Sequence, residues 1–210
     1  MVASQPGLRW QEQLHRYQTP LIIAVSTFAL GILFGVMAVG TLTPADKASL
    51  VAYLHRFIAG QASTPEGSSL FSRAVVDNLK VLGLLYVLGI SVAGMPLVAL
   101  VVFFRGFVLG FAMGFVTTTM AWQGVWFGVV VVGLQSAFMV PATMLVAAGA
   151  LGFSWSLVAP RSTTVRHSVL EQFVGLTFLV VAMGAVVVVG SACETLVAPF
   201  LVHLLRNWGI

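Results

Sequence analysis

The sequence predicts an all-α fold: a polytopic membrane helix bundle with about five transmembrane helices, an external amphipathic helix and an interfacial C-terminal helix. Two compositional observations carry this. Of 210 residues, 59% are hydrophobic and 8% charged, against roughly 25% charge in an ordinary soluble domain. Mean hydropathy is +1.03. The third observation is the recurrence of apolar runs about 20 residues long, the length at which a helix crosses hydrocarbon with its own backbone bonds satisfied. So much apolar surface exceeds one soluble core, so a large share of it faces the lipid bilayer. The same numbers exclude a soluble enzyme and a disordered chain. The net charge of +4 comes from ten scattered Lys and Arg with no basic cluster, so no nucleic-acid partner is expected.

Residues 1–20 read as a polar N-terminal cytoplasmic segment, and residues 21–40, bounded by Pro20 and Thr41, as the first span. A cleaved signal would have a shorter apolar core. Residues 41–78 form an external segment. In it Thr43-Pro44-Ala45-Asp46 predicts a helix start, with Thr43 as N-cap and Pro44 at the first helical position. Leu50, Val51, Leu54, Phe57 and Ile58 then recur at helical spacing and share a face. That face rests on the membrane surface or under the neighbouring loop, or it docks another protein.

A four-helix membrane bundle is expected over residues 79–190. Residues 79–104 and 106–121 are apolar, and the break between them falls at Arg105 or at Gly94-Met95-Pro96. Trp122-Gln123-Gly124 reads as an interfacial turn, residues 125–153 as the fourth span and residues 172–190 as the fifth. In residues 191–210 Leu196, Leu201, Leu204, Leu205 and Trp208 share a helical face. Pro199 argues against a sixth crossing, so an amphipathic interfacial helix is expected. The basic residues split evenly between the two sides, but short loops count most, which favours the N-terminus inside.

Chemistry-bearing motifs are sparse. Glu12 and His15 have the spacing of a helical metal pair, but a di-metal site needs that motif twice. His-Glu-x-x-His and the phosphate-binding glycine loop are absent, so neither catalysis, a metal nor a cofactor is expected. Arg105 reads as a helix-end side chain that snorkels to headgroups, with a buried ion pair as the alternative. Gln135, taken as mid-span, reads as an interhelical hydrogen-bonding residue. The strongest positive motif is glycine at four-residue spacing: Gly31 with Gly35, then Gly106, Gly110 and Gly114, then Gly124 with Gly128. Such ridges let helix backbones approach closely. They serve packing inside one subunit, or association with a second copy or a partner.

The stretch Asn78-Leu-Lys-Val-Leu-Gly-Leu-Leu-Tyr-Val-Leu-Gly-Ile-Ser-Val-Ala-Gly-Met-Pro96, followed by Phe104-Arg-Gly-Phe-Val-Leu-Gly-Phe-Ala-Met-Gly-Phe115, resembles the stage II sporulation protein M (SpoIIM) family. The order of one helix, an external segment and four further helices agrees. The resemblance implies a non-catalytic integral membrane scaffold of the engulfment machinery in endospore-forming bacteria. Its implied partners are membrane-anchored peptidoglycan hydrolases resembling SpoIID and SpoIIP, recruited to thin the septum as the mother-cell membrane engulfs the forespore. The expected partner-binding residues are Leu50, Leu54, Phe57 and Ile58, with Leu201, Leu204 and Trp208. The alternative is the membrane subunit of an ATP-driven exporter, against which stand the scarcity of polar groups in the spans and the lack of an internal repeat.

Overall fold

The computed structural model describes residues 6–63, 67–91, 93–127, 133–158 and 169–207, with side chains over 18–53, 71–72, 75–91, 93–118, 136–158 and 169–192. Six helices follow in order: α1 (Pro6–Gly40), α2 (Pro44–Ser63), α3 (Gly67–Ile90), α4 (Gly94–Phe127), α5 (Gly133–Val158) and α6 (Val169–Asn207). Four stretches are long and apolar enough to cross a membrane: Gln18–Gly40, Gly94–Thr118, Ser136–Val158 and Val169–Ala192. The fifth bundle member, α3, packs against α4, α5 and α6 and carries Asp77 and Lys80, which lower its hydropathy.

The tightest seam joins α1 to α4. A Cβ at Gly31 would run into the Phe103 carbonyl oxygen and stand 2.9 Å from the Phe107 amide nitrogen. One at Gly35 would strike Phe107 in the same way, and Gly106 and Gly110 meet the Phe28 and Ile32 carbonyls. Gly114 lies against Val36. The two ridges therefore press backbone to backbone, the approach that only a missing side chain permits. Residue numbers rise together along both helices, so α1 and α4 run parallel. Beside the ridge Phe103, Phe107, Phe111 and Phe115 form a stacked ladder with ring centroids 6.5, 6.3 and 6.4 Å apart.

The remaining contacts fix the other directions. After α3 the chain reverses in a tight turn in which Ser91 N–H donates to the Leu88 carbonyl (3.1 Å) and Gly94 N–H to Ser91 (3.0 Å). A Cβ at Gly94 would collide with the Leu88 carbonyl oxygen, so the turn requires glycine. Ser154 of α5 is fully buried and donates to the Gly89 and Ser91 carbonyls (2.7 and 3.0 Å). It thereby satisfies acceptors that the end of α3 leaves without helical partners. Gly149 of α5 meets Leu176 and Leu179, and Gly190 of α6 meets Phe138, so α5 and α6 are antiparallel. The start of α1, the α3–α4 turn, the end of α5 and the start of α6 thus share one side. The α1 end, α2, the α5 start and the α6 end share the other.

At the centre is α5. Of its span, 61% is buried, against 28%, 22% and 17% in the other three. Its inner positions are small, with Ala142, Ala147 and Ala150 at 1% exposure or less. Large side chains such as Phe178, Val181, Ile22 and Met37 point outward, the inverse of a soluble fold and the arrangement that suits lipid.

Several sequence expectations change or narrow. Pro20 does not start the first span; α1 runs through it from Pro6, and the ring is buried, 3.6 Å from where a Gly152 Cβ would stand, so packing offsets the lost backbone bond. Residues from Gly67 onward belong to α3. The break between the second and third spans is the Gly94 turn, leaving Arg105 inside α4. Trp122-Gln123-Gly124 lies within α4 and forms no turn, since a lone glycine costs a helix only about 1 kcal/mol. Gln135 belongs to α5, with its side chain outside the described residues. Finally, α6 continues from its span to Asn207 without a break, so the C-terminal segment extends the last helix.

The α1–α4 seam predicts a selective response to glycine replacement. Gly110→Ile should lower stability in detergent by about 1–3 kcal/mol, read as a drop in the thermal unfolding midpoint. Gly83→Ala, at a position with open space around it, should leave the midpoint unchanged or raise it.

Candidate functional site

Among the expected docking residues, Leu50, Leu54, Phe57 and Ile58 belong to α2, and Leu201 and Leu204 to the far end of α6. Thr43 caps α2 as its sequence requires: Asp46 N–H donates to Thr43 Oγ1 (3.3 Å), and the Thr43 N–H and hydroxyl donate to Asp46 Oδ2 (3.4 and 2.6 Å). This reciprocal pairing satisfies an end of the helix that otherwise lacks partners. Leu50 on α2 is half-buried. Leu54, Phe57 and Ile58 follow on the same helix at the spacing of one face, with side chains outside the described residues. None of the main helix packings among the described residues involves α2. Leu201 and Leu204 lie on the far end of α6, side chains again outside the described set, and Trp208 lies beyond it.

The glycines Gly31, Gly35, Gly106, Gly110 and Gly114 meet one another's helices inside the chain. Gly124 belongs to α4, and Gly128 lies outside the described residues.

Sequence reasoning missed a polar pair at mid-depth. Arg105 lies midway along the Gly94–Thr118 span, and its Nη2 donates to Asn78 Oδ1 of α3 at 2.9 Å. Asn78 is 6% exposed. The two stand at equal distances from the α3–α4 turn, so an antiparallel hairpin brings them level. That symmetry was the available signal, hidden because Arg105 itself passed for the boundary. A cavity of about 280 Å³ adjoins the pair, lined also by Ser136, Phe28, Leu109 and Met139. Next to Asn78, Asp77 and Lys80 form an ion pair at 3.0 Å that is largely exposed, 71% and 70%. Charge at this depth is costly wherever lipid covers it.

Further round, Tyr86 of α3 hydrogen-bonds Thr177 of α6 at 2.9 Å. Thr177 gives its proton to the Phe173 carbonyl (2.9 Å), so the Tyr86 hydroxyl is the donor between them. Among the described residues no three His, Cys, Asp or Glu side chains gather as metal ligands.

Compared with known proteins, residues 24–199 match the family profile described as SpoIIM, stage II sporulation protein M. No curated protein and no solved structure matches the chain.

The Arg105–Asn78 bond predicts that Asn78→Leu, which removes the acceptor from a guanidinium at mid-depth, costs about 1–3 kcal/mol. Asn78→Asp, which supplies a carboxylate, should retain wild-type stability or exceed it. Thermal unfolding in one detergent compares the two.

Proposed function

Because the chain belongs to the stage II sporulation protein M (SpoIIM) family, we propose that it is a non-catalytic membrane scaffold of the engulfment machinery. In this reading it recruits and localises membrane-anchored peptidoglycan hydrolases resembling SpoIID and SpoIIP at the sporulation septum and engulfing mother-cell membrane. It is a multi-pass membrane protein of a sporulation family that is not a known enzyme family. The observation that carries the reading is the extent of the match, residues 24–199, which takes in α2 to α5 and most of α1 and α6.

The geometry supports a division of labour. The α1–α4 seam and the buried α5 give a close-packed body. On one side of it stands α2, tied to α1 and α3 by short links and held at its start by the Thr43 cap. The far end of α6 emerges on that same side. A hydrolase anchored by its own membrane helix projects its catalytic domain just beyond the bilayer, within reach of a docking helix at the surface. There the Leu50, Leu54, Phe57 and Ile58 face serves as the groove-seeking apolar side of an amphipathic helix. The hydrolases cut the wall and this chain places them.

Leu54→Glu with Phe57→Glu should reduce co-purification of the hydrolases at least about tenfold, equivalent to a loss of 1.4 kcal/mol or more. The amount of protein in the membrane should stay unchanged, because α2 takes part in none of the main helix packings among the described residues. Undiminished capture by the double variant would sink the docking role of α2.

A further inference from the structure

The α3–α4 seam carries charges, with Asp77 and Lys80 at its outer edge and the half-buried Arg105 between the helices. Asp77 and Lys80 are paired with each other yet largely exposed. Arg105 has as its partner the neutral oxygen of Asn78, which occupies one of five guanidinium donors. All lie near the middle of the bundle's thickness, since Arg105 is midway along its span and Asn78 is level with it. Lipid phosphates lie at the surfaces, half a hydrocarbon thickness or about 15 Å away. A counter-charge for Arg105 has therefore to come from a membrane helix.

The position of Asp77 on α3 is defined by its neighbours. Asn78, Leu82 and Leu85 face the interior, while Leu79 and Tyr86 face α6. At about 100° per residue, Asp77 then falls on the opposite flank, toward α4 and outward. Asp77 thus stands at the outer edge of the seam and the half-buried Arg105 just inside it at the same depth, beside the exposed Val108 at the cavity mouth, while Leu84, Val87 and Phe104 are exposed on the same two helices.

We propose that a second copy of this chain covers this seam, forming a two-fold dimer in which Asp77 of each copy pairs with Arg105 of the other. Two copies inserted in the same orientation are related by an axis along the membrane normal. Such an axis keeps every residue at its own depth and makes the interface self-complementary. Among the described residues Asp77 is the carboxylate at Arg105's level, so the chain itself supplies the missing partner. The glycine ridges take no part, because they are consumed within each subunit by the α1–α4 contact.

The test uses full-length protein tagged at its N-terminus with donor or acceptor fluorophores and reconstituted in phosphatidylcholine vesicles. Energy transfer is followed as the protein is diluted in lipid. Wild type should associate, and R105Q and D77N should each weaken association at least about tenfold, R105Q keeping a side-chain amide for Asn78. Donor-tagged R105Q mixed with acceptor-tagged D77N should regain transfer, since that heterodimer rebuilds one of the two pairs and neither homodimer has any. Because Asp77 is exposed, D77N leaves the fold intact and decides the matter even without R105Q. Wild-type association by D77N, or a wild type that stays monomeric at every protein density, overturns the proposal.

Discussion

The bundle depends on backbone contact between α1 and α4. In lipid there is no hydrophobic force to drive helices together, so packing and a few polar bonds must do it. Five glycines remove the side chains that would hold these two helices apart, and the carbonyls of Phe28, Ile32, Phe103 and Phe107 fill the vacated space. The contact is parallel, and that has a topological consequence. Between two parallel helices the chain must run back, and α3 makes that return alongside α4, α5 and α6. Everything between α1 and α3, namely α2, is then confined to one side. Two further reversals through α5 and α6 bring the C-terminal end of α6 to that side as well.

Around this seam the polar groups are placed where backbone or charge needs them. Ser154 covers the open carbonyls at the end of α3. Thr143 returns its hydroxyl to the Met139 and Val140 carbonyls (2.8 and 2.9 Å) beside Pro141, which breaks the local ladder of α5. Asn78 holds Arg105. The Ser154 and Asn78 bonds join α3 to α5 and α4, and the α1–α4 side rests on packing.

Much of this was legible in the residues. The α2 start was readable from Thr43, Pro44 and Asp46, because capping is a local matter of side-chain reach. The apolar stretches 21–40 and 172–190 fall within the observed spans because hydropathy alone fixes them. The glycine ridges were visible as motifs, but their partners were not, since which helix meets which is decided by the whole bundle. Arg105 misled for a physical reason: a lone charge in an apolar run ordinarily marks a helix end, and here Asn78 makes an interior position tolerable. Gly124 misled because a single glycine marks a turn only where packing or a cap also ends the helix.

The central claim is that this membrane bundle positions wall-cutting enzymes and does not act on a substrate itself. Its most direct test is gentle detergent extraction of the tagged full-length chain from sporulating cells, with the co-purifying proteins identified by mass spectrometry. The account predicts membrane-anchored peptidoglycan hydrolases at near-stoichiometric yield. An ATP-binding cassette ATPase with no hydrolase would contradict it and turn the bundle into one half of an exporter.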